Sequence, residues 1–560
     1  MLKTSIFSFF FLQMRSIVTY KLRIRSATLS QFHLADLFKY VVNRIPERIA
    51  LLSENGPVSY KELDQRSSRL AAGLFAKGIR QGDHVGIYLM NGPEFLESFF
   101  AIVKIGAVPF NINYRYGYEE LLYLLSNANA KAIIYDIQFS EHINKLNEKL
   151  STLEICISVG NEMGLVPGEF SYNELLKFEY NFDGYARSEN DYILQYTGGT
   201  TGLPKGVMWP HKSFFFACLG GGGLYAGAPP ISMPDEQGKI AFGAPPLKIL
   251  PCAPLMHGAA MWTALSGILG GMTLVLDPMR KGFNAHEIWD RVEHEGVNIL
   301  QIVGDAMAIP LLNALKPKTK KWDLSSLVHL GSGGAIFSRH IKSEFKDIFP
   351  KCVIADGMGT SETGISGMGS TPAKEGFMKL PITDRQQVVI DNRIADINEI
   401  GYLAKAGNTP IGYYGDEQKS KELFKHIDGK TWVLTGDRAK RDSLNTLILY
   451  GRGSTCINTG GEKVYPEEVE EILRSHPSIF DAAVVGVTNL KWGELVSAVI
   501  SITEGSDSPS LQEVKTFCAS KLAGYKCPRQ LRVVNTLKRS PAGKQDYKWV
   551  RSIFNGNEKK

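Results

Sequence analysis

Cysteine pairs, charge of one sign and long apolar runs are all scarce in this sequence. Its seven cysteines are scattered, and because no two form a Cys-x-x-Cys pair, neither a zinc site nor a disulfide framework is indicated. A reducing, cytoplasmic setting therefore fits best. The net charge of +6 over 560 residues is small and no basic run is dense, so we expect no nucleic-acid partner.

The N-terminus carries an apolar run that is too short to cross a bilayer, since a membrane-spanning helix needs about 20 residues. This run extends from Ile6 to Leu12, and no acidic residue precedes Asp36, which in a eukaryote is typical of an organelle transit peptide. The alternatives are a poorly ordered extension, or a start assigned too early with Met14 as the true one. We expect an N-terminal extension over 1–31 and no transmembrane segment; peripheral membrane contact and the oligomeric state stay open.

From about residue 32 the chain alternates between strand-like and helix-like segments. Short apolar runs that stop at glycine or aspartate, such as HVGIYL (84–89) and LVHLGSGG (327–334), are typical of buried strands in an α/β sheet. After about residue 452 the pattern changes to a small α+β unit, in which YPEEVEEIL begins a helix with Pro466 in its first turn. We predict a large α/β body over 32–452 and a small C-terminal domain over 453–560, joined by a hinge.

A loop rich in glycine and threonine, QYTGGTTGLPKGV, extends from Gln195 to Val207. Glycines let backbone N–H groups approach a phosphate, threonine hydroxyls donate hydrogen bonds, and Lys205 supplies positive charge. Gly206 follows the lysine where a Walker A loop requires serine or threonine, so a magnesium ligand must come from elsewhere. The alternative is a glycine-rich hairpin turn without a ligand, but the full string favours a phosphate-binding loop.

The string YTGGTTGLPKGV resembles the signature loop of the adenylate-forming superfamily, which includes acyl-CoA synthetases, luciferase-like enzymes and peptide-synthetase adenylation domains. The resemblance extends from about residue 32 to 549, and several motifs agree in order. It implies a two-step reaction: ATP and a carboxylate give an acyl-adenylate and pyrophosphate, and a thiol, usually coenzyme A, then displaces AMP. It therefore implies ATP, Mg²⁺ and coenzyme A as cofactor and co-substrates.

The resemblance also implies roles for particular residues. GMGTSETG resembles the family motif Y-G-x-T-E, with Met358 in place of the usual tyrosine, and makes Glu362 the Mg²⁺ ligand, joined by Thr197. Asp437 in LTGDRA matches the carboxylate that accepts hydrogen bonds from the ribose hydroxyls, and Arg452 matches an arginine that reaches the ribose or phosphates. Ser361 replaces the usual threonine that contacts the phosphate and retains the hydroxyl. The remaining residues placed at ATP or AMP are those of the loop and of the adenine pocket: Gly198, Gly199, Thr200, Thr201, Gly202, Lys205, Gly333, Gly334, Asp356 and Gly357.

Two further motifs lie on the C-terminal side. In the segment that resembles the family hinge, Ser454 occupies a position where aspartate or lysine is usual, which weakens the assignment of this residue, and Gly460, Gly461 and Glu462 match the loop of the thioester-forming state. Lys544 in RSPAGKQDY matches the adenylation lysine, whose long stem lets its ammonium reach the carboxylate and the α-phosphate.

The acyl pocket is the part that the sequence describes least. His257 in APLMHGAAMW matches a histidine near the acyl group, and an aromatic gate would fall near Met261, beside Trp262. Together with the glycine run in FFFACLGGGGLYAG, the motifs are most similar to bacterial acyl-CoA synthetases that activate sterol side chains or long fatty acids. We therefore predict such a synthetase. The alternatives are a ligase that loads a carrier-protein thiol and a non-catalytic relative that binds nucleotide or acyl ligand.

Overall fold

A computed structural model provides the structure of this chain. It describes residues 31–160, 166–179, 187–197, 204–225, 227–277, 282–316, 322–335, 337–369, 379–442, 446–452, 457–459, 462–489, 492–522, 524–539 and 545–555. The expected extension over 1–31 lies outside the described residues except for its last residue. No helix in the part of the chain that the structure describes is both long enough and apolar enough to cross a membrane.

The described residues form four β-sheets. In chain order the strands are β1 Ile49–Ser53, β2 Gly56–Ser59, β3 His84–Tyr88, β4 Val108–Asn111, β5 Ala132–Asp136, β6 Ile155–Val159, β7 Phe170–Ser171, β8 Tyr192–Thr197, β9 Lys205–Pro210, β10 Lys248–Pro251, β11 Thr273–Val275, β12 Ile299–Ile302, β13 His329–Gly333, β14 Val353–Thr360, β15 Gly364–Gly369, β16 Lys379–Pro381, β17 Gln386–Ile390, β18 Arg393–Ile394, β19 Ile400–Lys405, β20 Gly412–Tyr413, β21 Phe424–Ile427, β22 Lys430–Arg441, β23 Thr446–Arg452, β24 Ile457–Thr459, β25 Glu462–Val464, β26 Ile479–Asn489, β27 Gly493–Ile502 and β28 Gln530–Val533.

Most α-helices lie between strands in the chain. They are Leu34–Arg44, Tyr60–Ala76, Pro93–Lys104, Tyr118–Asn127, Ser140–Asn147, Tyr172–Leu175, His211–Cys218, Glu236–Gly243, Gly258–Leu269, Ala285–Glu295, Gly304–Leu315, Arg339–Ile348, Glu417–Leu423, Pro466–Arg474, Leu511–Ala519 and Tyr547–Asn555.

Two eight-stranded sheets make up most of the large body. Their strand orders are β20-β9-β8-β4-β3-β5-β6-β7 and β15-β14-β13-β12-β10-β11-β1-β2. The inner strands are parallel, as in the pairs β3–β4, β3–β5 and β10–β12, whereas β8–β9 and β14–β15 are antiparallel. Since helices cover both faces of parallel strands, these strands are nearly continuous apolar runs, and β3 is buried along its whole length.

The helix Pro93–Lys104 lies between these two sheets. Proline at its first position suits a helix N-terminus, and every residue except Glu94 is buried. A helix buried on all sides must be covered by more than one layer. Accordingly, Phe99 of this helix belongs to one apolar core with Ile87 of the first sheet and Ile249 of the second.

The remaining two sheets are mainly antiparallel. One has the order β16-β23-β22-β19-β17-β18 with β21 beside β22, and the other has the order β25-β24-β27-β26 with β28 beside β27. The last sheet and the helix Pro466–Arg474 share a separate core that includes Val469, Leu473 and Val484. The predicted α/β body with a small α+β domain is thus confirmed, while the boundary at 452/453 stays a prediction. Tyr450 and Tyr465 stack across that boundary with ring centroids 5.0 Å apart.

Two buried histidines join the start of the described chain to the helix His211–Cys218. The rings of His33 and His211 stack with centroids 3.9 Å apart. Nδ1 of His211 accepts the Leu34 N–H over 3.2 Å, and Nδ1 of His33 accepts the Ala35 N–H over 3.2 Å. Burial, together with the positive charge of Arg187, lowers the pKa of His211 to about 3. Burial, together with His211 and Arg187, lowers the pKa of His33 well below its usual value. Both rings are therefore neutral in the folded protein.

This neutral pair predicts loss of stability in mild acid. Below the unfolded-state pKa of about 6.5, the unfolded chain binds protons that the folded chain excludes, so the free energy of unfolding falls as pH falls. For each histidine the expected loss between pH 7.5 and 5.5 is about 1.4 kcal/mol in total, and the slope approaches about 1.4 kcal/mol per pH unit only at lower pH. Urea unfolding of His211→Gln between pH 7.5 and 5.5 should show a shallower pH dependence than wild type. The exposed His294 supplies the control His294→Gln, and equal slopes in all three proteins would contradict the explanation.

Candidate active site

The glycine- and threonine-rich loop connects two antiparallel strands. Thr197 at the end of β8 lies opposite Lys205 at the start of β9. The loop residues Gly198, Gly199, Thr200, Thr201 and Gly202 lie outside the described residues. The loop is therefore a hairpin connection whose base is formed by two of the predicted site residues, and its phosphate-binding role stays a prediction.

Lys205 lies against a segment that the sequence analysis did not select. Its Nζ is 3.8 Å from Oδ2 of Asp416 and 5.0 Å from the centroid of the Tyr413 ring. The side chains of Lys205 and Asp416 are each about one-third exposed, at 35% and 36%. This exposure leaves the ammonium accessible to an anionic ligand.

Glu362 lies in the turn between the antiparallel strands β14 and β15. Its Oε1 accepts a hydrogen bond from the Tyr413 hydroxyl over 3.0 Å. The turn itself is held by Trp209, whose Nε1 donates to the Ser361 carbonyl over 2.8 Å. The predicted Mg²⁺ ligand and the predicted phosphate-loop lysine are thus both in contact with one tyrosine.

Four residues predicted at the adenine pocket come together on neighbouring parallel strands. Gly333 of β13 lies opposite Gly357 of β14, and Asp356 is the residue before Gly357 on the same strand. Gly334 directly follows β13 and has a φ of +85°. Asp356 accepts a hydrogen bond from Lys342 over 2.5 Å, and burial raises the pKa of this carboxyl while the Lys342 ammonium opposes the rise. Lys342 was not predicted, because only the fold brings its helix beside β14.

The predicted ribose-binding pair is also brought together. Asp437 on β22 lies opposite Arg452 on β23 in the antiparallel register. Asp437 is buried, and its backbone N–H donates to the Thr435 hydroxyl over 3.0 Å. The two residues therefore lie at the same level of one sheet, as a shared ligand would require.

His257 directly precedes the helix Gly258–Leu269, and two side chains tie this region to β8. Nδ2 of the buried Asn111 donates to the carbonyls of Met256 and Tyr196, over 2.6 and 3.0 Å. Trp262 Nε1 donates to Oε1 of Gln195 over 3.1 Å. The predicted acyl-side histidine is thus held next to the strand that ends at Thr197. Asn111 could not be selected from the sequence because its partners are distant in the chain.

An apolar gap with no room for a water molecule lies beside this helix. Its lining includes Phe95 and Phe99 of the helix Pro93–Lys104 and Met261 of the helix Gly258–Leu269. Met261, near which the aromatic gate was expected, therefore faces apolar side chains. The identity of the gate stays a prediction.

Several predicted residues are described only in part or not at all. Ser454, Gly460, Gly461 and Lys544 lie outside the described residues. Glu462 is placed by its backbone in β25, opposite Thr459. On either side of the segment that contains Lys544, Arg539 and Gln545 form an antiparallel bridge, and Nη2 of Arg539 is 2.6 Å from Oδ2 of Asp481.

The arrangement fits ATP with Mg²⁺. Mg²⁺ is usually bound by one or two carboxylates together with substrate phosphates, not by a cage made only of protein groups. Glu362 supplies such a carboxylate, and the described residues contain no cluster of three or more histidine, cysteine, aspartate or glutamate side chains that could hold a metal alone. Lys205 and the loop base at Thr197 supply charge and hydrogen-bond donors suited to phosphates.

Family models settle which group of proteins this is. The model described as AMP-binding enzyme matches residues 38–412, and the model of the AMP-binding enzyme C-terminal domain matches residues 468–544. This chain belongs to the AMP-binding enzyme family. The resemblance stated from the motifs is confirmed.

Two similar relatives have names that state CoA ligation of particular acids. The chain is 37% identical over 539 residues to a medium/long-chain-fatty-acid–CoA/3-oxocholest-4-en-26-oate–CoA ligase of Mycolicibacterium smegmatis, covering 93% of this chain and 96% of that protein. It is 38% identical over 535 residues to a 3-oxocholest-4-en-26-oate–CoA ligase of Rhodococcus rhodochrous, covering 93% and 95%.

Solved structures of AMP-binding enzymes share the fold. The anthranilate CoA ligase AuaEII with anthranoyl-AMP superposes with a TM-score of 0.77 at 22% identity, covering 93% of this chain and 97% of that one. ATP-bound MatB from Rhodopseudomonas palustris has a TM-score of 0.76 at 23% identity, covering 94% and 100%. The predicted combination of a large body and a small C-terminal domain is the architecture of these neighbours.

Gly364 provides a test of how the Glu362 turn is positioned. It has a φ of +67°, and a Cβ there would lie 2.5 Å from the Ala217 carbonyl oxygen. Gly429 has a similar φ of +72° but open space around it, so Gly429→Ala is a matched control for backbone strain alone. Gly364→Ala should lower the free energy of unfolding by about 1–3 kcal/mol more than the control, and it alone should slow adenylation. Equal effects in urea unfolding and in pyrophosphate release would contradict this placement.

Proposed function

We propose that this protein is an ATP-dependent acyl-CoA synthetase that converts a long-chain fatty acid or a sterol side-chain acid, ATP and CoA into acyl-CoA, AMP and pyrophosphate. The observation that carries the proposal is similarity of 37–38% over 93% of the chain to relatives whose names state CoA ligation of such acids. The predicted acid–thiol ligase, with ATP, Mg²⁺ and CoA, agrees with the family.

In the first half-reaction, the carboxylate of the acid attacks the α-phosphate of ATP. Both partners are negatively charged, so the site must supply positive charge and fixed donors. Lys205 and the loop after Thr197 would bind the phosphates, and Asp437 with Arg452 would bind the ribose. Mg²⁺ held at Glu362 would neutralise phosphate charge, and Gly333, Gly334, Asp356, Gly357 and Ser361 would line the nucleotide pocket.

In the second half-reaction, the CoA thiol attacks the acyl-adenylate and AMP leaves. The proposed small domain, 453–560, presents Lys544 for the first step and the segment with Gly460, Gly461 and Glu462 for the second, by rotation near Ser454. His257 lies beside the strand that ends at Thr197, which supports a position between acyl group and nucleotide. A cytoplasmic location belongs to the same proposal, and its support is that five described cysteines are buried and free: Cys156, Cys218, Cys252, Cys352 and Cys518.

A panel of acids tests the substrate class. Purified protein with ATP, Mg²⁺ and CoA should form acyl-CoA and AMP from palmitate or from a steroid side-chain acid, and much less from acetate, as followed by mass spectrometry. Acyl-adenylate without acyl-CoA would indicate a carrier-protein acceptor. If no acid gave AMP, the non-catalytic alternative would replace the proposal.

Lys544 should separate the two half-reactions. Lys544→Ala should lower adenylation by about 100-fold or more, because a positioned charge that stabilises the transition state is lost. The same variant should convert pre-formed acyl-adenylate and CoA to acyl-CoA at nearly the wild-type rate. Lys548→Ala serves as a control in the neighbouring helix. Equal losses in both half-reactions would show that Lys544 does not have the proposed role.

A further inference from the structure

Tyr413 contacts both charged groups that are assigned to ATP and Mg²⁺. Its hydroxyl donates to Oε1 of Glu362 over 3.0 Å, and the Lys205 ammonium lies 5.0 Å from the centroid of its ring. We propose that Tyr413 is a positioning residue that holds Glu362 for Mg²⁺ and Lys205 for the phosphates of ATP. The inference rests on the proposed function, from which it takes the roles of Glu362 and Lys205.

The position of Tyr413 is fixed by contacts that do not involve a nucleotide. It lies on β20, opposite Val207 of β9, two residues after Lys205. Its backbone N–H donates to the Ser420 hydroxyl over 2.9 Å, and that hydroxyl donates to the Asp416 carbonyl over 2.7 Å. The backbone of Tyr413 is therefore held by protein groups alone, as preorganisation of a charged site requires.

The tyrosine also separates two opposite charges. A direct ion pair between Lys205 and Glu362 would occupy each group with the other, and within the described ranges no such pair is formed. A phenol donates a single hydrogen bond, so the Glu362 side chain retains lone pairs that can still bind a cation. The ring attracts the ammonium without neutralising it. Glu362 and Lys205 are thus not paired with each other, and the acidic neighbour of Lys205 is instead Asp416, whose Oδ2 lies 3.8 Å from Nζ.

Two substitutions separate the hydroxyl from the ring. Tyr413→Phe removes the donor and keeps the ring beside Lys205, whereas Tyr413→Leu removes both. Tyr414→Phe is the matched control: this neighbouring ring lies edge-on to His84, with centroids 4.8 Å apart. Calorimetry without any acid substrate, once with Mg²⁺ and once with EDTA, measures how much Mg²⁺ raises the affinity for ATP.

Tyr413→Phe should reduce the Mg²⁺-linked gain in ATP affinity by about tenfold, the loss expected for a hydrogen bond to a charged group, and should leave the affinity in EDTA unchanged. Tyr413→Leu should in addition weaken ATP binding in EDTA by about threefold, because the cation–π contact is lost. The reaction of pre-formed acyl-adenylate with CoA should be unaffected in both variants, since it uses neither Mg²⁺ nor the ATP phosphates. A purely structural role would slow both half-reactions.

The Glu362→Gln background decides whether Tyr413 acts through Glu362. If it does, Tyr413→Phe should have no further effect on Mg²⁺-linked affinity there. Should Glu362→Gln lose this affinity while Tyr413→Phe matches Tyr414→Phe, the inference is wrong and the proposed function stands. A Glu362→Gln protein with wild-type Mg²⁺-linked affinity would overturn both the Mg²⁺ role and the inference. Equal losses of affinity with Mg²⁺ and with EDTA in Tyr413→Phe would also overturn the inference.

Discussion

Burial of the helix Pro93–Lys104 between two sheets is the constraint on which the large body depends. A helix covered on all sides must neutralise its buried charges within the protein. Glu97 accepts hydrogen bonds from Arg66 Nε over 2.6 Å and from the Tyr172 hydroxyl over 2.7 Å. Lys104 donates to Asp64 over 2.7 Å, and burial lowers the pKa of this ammonium to about 8. Removing one partner from the buried Lys104–Asp64 pair costs about 3–5 kcal/mol, so this pair fixes the helix against the neighbouring helix Tyr60–Ala76.

The site follows from that layering. The strand β4 comes directly after the helix and ends at Asn111, whose amide binds the backbone of Tyr196 and Met256. One side chain thereby places the end of the phosphate-loop strand beside the segment that leads to His257. The second sheet contributes the Glu362 turn from β14 and β15, which Trp209 joins to the first sheet. The candidate site thus lies where elements of both sheets meet.

Local sequence patterns were sufficient for much of the fold. The run HVGIYL corresponds to β3, LVHLGSGG to β13, and YPEEVEEIL to the helix Pro466–Arg474. In each case the signal is a short apolar run with a terminating residue or a helix start, which depends on neighbours in the chain. The sheet with the order β16-β23-β22-β19-β17-β18 was not predicted as a separate antiparallel unit. Its pairings depend on register between distant strands, which periodicity does not encode.

The same contrast between local patterns and distant contacts explains which site residues could be predicted from the sequence. Glu362, Asp437 and Lys205 could be selected because each lies in a motif of contiguous residues. Tyr413 could not, because its contact with Glu362 is 51 residues away in the chain and has no local signature. Single polar side chains such as Asn111 and Lys342 acquire their roles only through tertiary contacts. Motifs therefore predict which groups act on the ligand, and packing determines which neighbouring groups orient them.

The stacked rings of Tyr450 and Tyr465 have a consequence for the energy landscape of the two-domain chain. An aromatic pair contributes only about 0.5–1.5 kcal/mol beyond its buried area. An energy of that size is comparable to the difference in binding free energy that a weakly selective ligand shows between two conformations of a protein. In the proposed rotation of the small domain, the contact would favour one orientation in the absence of ligand without locking it. Small changes in occupancy of the nucleotide site would then be sufficient to redistribute the population.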